Sequence, residues 1–440
     1  MPTQPANSNP GPADAAAPAR RSRRRTGARA RGWLGSWQGK LALFFAVFGP
    51  GFITANVDND PGGIFTLSQA GAQTGYLLLW TLIPITIALI VVQEMAARMG
   101  AVTGKGLSDL IREEFGFRWT FFAMLVLGAA DFGNLAAEFS GLAAGMGIFG
   151  ISKYIAVTAG AVLVWLLVTR GRHRGVEKIL IFFSLIYIAY PISAFLAHPD
   201  WKAAIRHTVI PTFIDTHAYL FLLLGLIGTT ITPWMQFYLQ ASIVEKGIGK
   251  KEYALSRWDV ISGCIITDVV SFFIIAACAA TLFIHGQHNI TDAAQAAEAL
   301  RPLAGRFAAL LFAIGLINAA LLSAAVLPLA TSYNICEGLG FESGIDKRFS
   351  DAPAFYWLYT GLIAFGAGFV LIPHLPLLRV ILISQVANGI LLPVVLTFML
   401  VLINRESVMG SYRNSRLFNW IAWTTSVVIV IMTAGMLATL

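Results

Sequence analysis

Two carboxylates stand where an apolar chain does not ordinarily carry them. The run Gly49-Pro50-Gly51-Phe52-Ile53-Thr54-Ala55-Asn56-Val57-Asp58-Asn59-Asp60-Pro61-Gly62-Gly63 sets Asp58 and Asp60 beside a proline and a glycine pair, in the middle of a hydrophobic stretch. Pro61 removes a helix hydrogen bond, and the glycines permit unwinding. An ionised carboxylate inside a membrane is costly unless it is paired or holds a cation. Carbonyls freed at that depth are tolerated only where they face protein, water or an ion. Asp60, directly before the break, is therefore the best candidate cation ligand. Asp58 lies two residues earlier on another helix face, where it either lines a pore or hydrogen-bonds within the bundle.

A second interruption reads Gly225-Leu226-Ile227-Gly228-Thr229-Thr230-Ile231-Thr232-Pro233-Trp234-Met235-Gln236. Interrupted helices at matching places in two halves of a chain mark the substrate site of inverted-repeat transporters. Two ordinary proline kinks are the bland alternative, and the carboxylates beside the first break weigh against it. Other acidic groups in apolar surroundings are Glu94, Asp131, Glu138 and Asp268. For each, a structural hydrogen bond competes evenly with a transport role. Glu337, near a helix end, reads as a cap or a partner of loop cations. No nucleophile elbow, phosphate loop, zinc signature or haem motif occurs, and the histidines fall almost entirely in loops. An acid pair built on Asp58 and Asp60 would need both on one helix face, which their spacing denies. The chain does not read as an enzyme, and no cofactor is expected.

The elements that position these residues follow from composition. Of 440 residues, 57% are hydrophobic and 12% charged, with a mean hydropathy of +0.70. Soluble domains carry roughly 25% charged residues, so a soluble enzyme is excluded and an all-α polytopic membrane protein is expected. Stretches of roughly 20 apolar residues give eleven spans, near 41–70, 74–97, 119–149, 152–169, 177–197, 216–245, 258–285, 303–337, 354–373, 376–403 and 417–439. With a cytoplasmic N-terminus, only Lys153, Lys202, Arg206, Arg301, Arg306 and Arg379 of the 31 Lys and Arg fall outside. That bias predicts N-terminus in and C-terminus out, in what is expected to be a bacterial plasma membrane. Residues 1–40 read as a disordered basic cytoplasmic tail suited to anionic lipid, and 41–440 as the transmembrane domain. The net charge of +8 sits largely in that tail and loops, so nucleic acid is not an expected partner. Cys264 and Cys278, about 21 Å apart on one helix at ~1.5 Å per residue, cannot form a disulfide.

From residue 40 onward the chain resembles the Nramp family of divalent metal transporters. The resemblance rests on Gly49 to Gly62, on Ala97-Arg98-Met99-Gly100 with Thr103-Gly104-Lys105, on Ser384-Gln385 and Leu392-Pro393, and on Met409-Gly410. It implies a LeuT-like fold: two inverted five-helix repeats plus an eleventh helix, with helices 1 and 6 broken, working by alternating access. It implies a metal site of Asp60, the Thr229 carbonyl, Thr232 and Gln385, with Gly63 leaving space for water. Apart from the resemblance, Asp58, Trp234 and Met235 are expected to line the cavity, and Asn56 and Asn388 to supply amides from facing helices.

Three positions depart from the family pattern. Gly63 stands in place of an Asn, Thr232-Pro233-Trp234 in place of Met-Pro-His, and Leu135 in place of an Asp three residues before Glu138. Losing a thioether removes the ligand that favours soft transition metals. A wider, all-oxygen site suits Mg2+, which dehydrates reluctantly, and Mn2+ should also fit. The chain therefore looks most like the Nramp-related magnesium transporters. Without the Asp and His, proton coupling is not expected, and Glu138 is at most the remnant of a proton route. The rival expectation is a proton-coupled Mn2+/Fe2+ importer with Met235 as soft ligand. Expected partners are divalent ions and the bilayer, with no obligate protein partner.

Overall fold

The computed structural model describes residues 60–170, 189–214, 216–291, 293–301, 305–344 and 348–438. Asn56, Asp58 and the basic tail lie outside them. Every regular element among the described residues is helical. In chain order they are α1 (Pro61–Thr74), α2 (Leu82–Thr103), α3 (Leu107–Phe115), α4 (Phe117–Ile148), α5 (Lys153–Arg170), α6 (Ala189–Leu196), α7 (Trp201–Val209) and α8 (His217–Thr230). There follow α9 (Pro233–Glu245), α10 (Tyr253–Cys278), α11 (Ala293–Ala297), α12 (Ala308–Leu339), α13 (Pro353–Val370), α14 (Leu377–Asn404), α15 (Glu406–Met409) and α16 (Arg416–Ala438).

Eight helical segments among the described residues are long and apolar enough to cross a membrane, counting α8 and α9 as one. The expected fourth span is the shorter α5. The first span is described from Asp60 and the fifth only from Ala189. Each described piece falls within a few residues of its expected span. Phe365, Ile155 and Trp420 are all more than 60% exposed, as lipid-facing side chains must be when the solvent is hydrocarbon. Cys264 and Cys278 do share one helix, α10, and are not joined by a disulfide.

Local chemistry sets the helix ends. Gly75 (φ 61) closes α1 and its N–H donates to Gly71, 3.0 Å away. Gly104 (φ 67) closes α2 in the left-handed conformation that glycine adopts without steric cost. Long α12 and α14 each carry an internal proline, Pro328 and Pro393. Ser332 donates to the Pro328 carbonyl at 2.7 Å.

The bundle centre is formed by α4 packed between α12 and α14, with α1 and α8 against α14. At the end of α2, Arg98 pairs with Glu94 at 2.9 Å and donates to the carbonyls of Tyr412 and Arg413, 3.2 Å each. Tyr253 of α10 donates to the same Glu94. This clasp ties α2, α10 and the approach to α16 together, and accounts for Glu94 as structural.

A candidate cation site between a helix start and a helix break

α1 begins where the sequence puts Pro61. A proline at the first helical position loses nothing, because that N–H would have no partner. Asp60 is the N-cap: its Oδ1 accepts the Gly63 N–H at 2.7 Å. The carboxylate thus sits at the positive end of α1, near the middle of the bundle, only 7% exposed. Gly63 contributes its N–H and no side chain.

The second break is explicit. α8 ends at Thr230 and α9 starts at Pro233, leaving Ile231 and Thr232 outside the helices. In a continuous helix residue 233 would donate to the carbonyl of residue 229. A proline has no N–H to give, so the Thr229 carbonyl is freed. Thr232 caps α9 without a side-chain bond, and the hydroxyls of Thr229 and Thr232 are buried without partners. Met235 is the third residue of α9 and fully buried, and Trp234 packs against Tyr238 with ring centroids 5.9 Å apart.

α14 joins the start of α1 to the break between α8 and α9. A Cβ on Gly62 would lie 2.0 Å from Nε2 of Gln385 and 2.9 Å from Oδ1 of Asp60, so amide, glycine and carboxylate are in contact. A Cβ on Gly228 would lie 1.9 Å from the Gln385 carbonyl oxygen. Asp60, Gln385 and the turn before Thr229 therefore meet. One detail differs from expectation. Gln385 Oε1 accepts from Asn388 at 3.2 Å, which leaves Nε2 facing Gly62. Gln385 turns its Nε2, which has no hydrogen-bond partner, toward the site in this arrangement; to act as a ligand its amide must turn over.

Behind Gln385 stands a network centred on Asn134, the one member that the sequence alone did not bring forward. Asn388 donates to Oδ1 of Asn134 at 2.5 Å and accepts from its Nδ2 at 3.2 Å, while Ser384 donates to the same Oδ1 at 3.0 Å. Asn134, Asp131 and Glu138 share one face of α4, a spacing of three and four that a search for buried polar periodicity would find. Asp131 accepts from Thr331 of α12 at 2.5 Å. Glu138, wholly buried, faces the Asp60 carboxyl. Its placement follows from its own helix, because Gly141, three residues on, abuts Pro61: a Cβ there would stand 2.3 Å from the Pro61 Cβ. Asp268 lies away from this group, beside Thr86 of α2. Asn134→Ala is expected to leave the Asn388 amide oxygen and the Ser384 hydroxyl without their Asn134 partner, costing about 1–2 kcal/mol, seen as a lower unfolding midpoint in detergent.

Chemically the arrangement is a hard-donor site: carboxylates, a freed carbonyl, hydroxyls and amides. Among the described residues no three His, Cys, Asp or Glu cluster as a self-contained metal cage. Two cavities lie elsewhere, one of about 830 Å3 between the end of α4 and the start of α14, one of about 230 Å3 between α9 and α12. Asp60, Thr229, Thr232 and Gln385 line neither and are all nearly inaccessible.

Comparison with known proteins agrees with this architecture. The "Divalent metal cation transporter MntH" of Klebsiella pneumoniae is 28% identical over 397 residues, 88% of this chain and 92% of the relative. That of Deinococcus radiodurans is 28% identical over 428 residues, 94% of each. Among solved structures, the Eremococcus coleocola manganese transporter superposes with a TM-score of 0.73 at 20% identity, covering 90% of this chain and 87% of the other. MhsT in complex with L-phenylalanine superposes at 0.60 and 17% identity, covering 88% and 98%. The fold is thus LeuT-like and the chain an integral membrane protein. Residues 51–439 match the natural resistance-associated macrophage protein-like family, and the chain belongs to that family, Nramp.

Proposed function

We propose that the chain is a divalent metal cation transporter that admits Mg2+, and Mn2+ with it, to the cytoplasm by alternating access without proton coupling. The relatives named as divalent metal cation transporters support the general class. The observation that carries the choice of ion is the second break: Thr232 offers a buried, unpartnered hydroxyl there, and Met235 is held within α9. Oxygen donors at the break favour a hard ion that keeps part of its water.

The energetics permit uncoupled uptake. With the N-terminus cytoplasmic, an inside-negative potential supplies ~2.3 kcal/mol per charge per 100 mV, hence about 4.6 for a divalent ion. Leu135, where an acid would pass protons, is instead packed against α13: a Cβ on Gly366 would lie 2.8 Å from its Cγ. Trp234 does not titrate.

The test is influx into liposomes loaded with a Mg2+-sensitive dye at an imposed negative potential, without a pH gradient. Saturable uptake is expected, and Met235→Ala should leave it within about twofold, since a thioether contributes little to a hard ion. Mn2+ uptake that requires a pH gradient and collapses in Met235→Ala, with no Mg2+ signal, would overturn the proposal in favour of an importer with a rearranged soft ligand.

A further inference from the structure

Glu138 is the buried charge that this reading leaves without a task. Neither of its carboxylate oxygens makes a hydrogen bond to the protein, and the residue is fully inaccessible. The charged group it faces is Asp60, and Asp60 in turn faces Glu138. Two apposed carboxylates in a membrane interior are untenable as a bare pair; a cation must lie between them or protons must neutralise them. Gln385 does not relieve them, because its Nε2, although turned toward Gly62, makes no hydrogen bond to either carboxylate.

We propose that Glu138 is a direct metal-binding residue, the second carboxylate that, with Asp60, brings the charge of a bound divalent ion to zero. The inference rests on the reading of the chain as a divalent-ion transporter. Asp60 alone would leave a loaded site carrying one net positive charge in a low-dielectric interior. The pair makes the loaded site neutral. Hard divalent ions are commonly held by one or two carboxylates with water completing the shell, and Glu138 has two free oxygens for one position in that shell. The packing of Pro61 on Gly141 holds α4 at the distance that keeps both carboxyls on the same space. Leu135, apolar and packed on Gly366, offers Glu138 no proton acceptor on the next turn.

The experiment is calorimetric titration of the full chain in detergent with MgCl2 and, separately, MnCl2, at one pH. Glu138→Gln should weaken Mg2+ binding by about 100-fold, in the range that loss of a metal-site contact produces, while Glu138→Asp, which keeps the charge, should stay within about tenfold of the wild type. Glu337→Gln, an equal charge change at the far end of α12, should bind as the wild type does. Unchanged or tighter binding in Glu138→Gln would overturn the inference, since glutamine mimics a protonated Glu138 and the pair would then share a proton. If Glu138→Gln does not fold, the wild type decides: the Mg2+-induced infrared carboxylate change must shift on 13C-labelling of glutamate, and a change that does not shift refutes the role. The Mn2+ titration keeps this question apart from ion choice. Binding of Mn2+ without Mg2+ would sink the Mg2+ reading, and the Glu138→Gln result with Mn2+ would still decide the role of Glu138.

Discussion

Replacing Asp60 by Ala or by Asn is expected to abolish saturable Mg2+ uptake by the reconstituted chain. Two roles meet in this side chain and the variants separate them. Its Oδ1 caps α1 through the Gly63 N–H at 2.7 Å, and loss of an N-cap costs about 1 kcal/mol. Asn is as good a cap as Asp, so Asp60→Asn keeps the start of α1 and removes only the charge. Asp60→Ala removes both and should also lower the unfolding midpoint. If the carboxylate is the ion's principal ligand, both variants lose uptake by at least about 100-fold at low Mg2+, as expected when a divalent ion loses a charged ligand near 4 Å at an effective dielectric of ~20. Normal uptake by a correctly folded Asp60→Asn would show that the ion passes elsewhere, whatever the break at Pro61 suggests.

Why the breaks could be read from the sequence is plain from the same two places. Proline and glycine act through their own backbone, so Pro61, Gly62, Gly63 and Pro233 announce an interrupted helix without knowledge of any neighbour. The spans likewise follow from each segment's own apolarity. What stayed hidden depends on partners far along the chain. Asn134 and Asn388 are 254 residues apart, and nothing in either segment names the other. Glu138 stood out as an acid within a span, yet its apposition to Asp60 follows from Gly141 receiving Pro61, a contact between different helices. The orientation of the Gln385 amide is set by Asn388; a motif match identifies the residue but not which end faces the ion. Leu135 shows the converse. Its departure from the family pattern was legible, and the structure supplies the reason it is tolerated, a close fit against Gly366 in α13.

The other large effect is expected at Gly228, a position with no polar chemistry of its own. α8 and α14 cross here backbone on backbone: a Cβ at Gly228 would stand 1.9 Å from the Gln385 carbonyl oxygen and 2.5 Å from the Gly389 nitrogen, and a Cβ at Gly389 would stand 2.7 Å from the Leu224 carbonyl oxygen. Small residues at such crossings let membrane helices approach closely. Main chain cannot swing aside as a flexible side chain can, so Gly228→Ala must push the two helices apart. Overpacking of this kind costs typically ~1–3 kcal/mol, and the displaced segment is the one that carries Gln385 toward Asp60, beside the freed Thr229 carbonyl. Gly228→Ala should therefore lower both the unfolding midpoint and Mg2+ affinity. Gly361→Ala in α13 is the matched comparison, because a Cβ there meets nothing within 4 Å. Alanine is favoured over glycine in a helix by roughly 0.5–1 kcal/mol, so that variant should be neutral or slightly stabilising with uptake intact. If Gly228→Ala behaves as Gly361→Ala does, the two helices are not in contact when the site holds its ion. The close crossing would then belong to a different stage of the transport cycle.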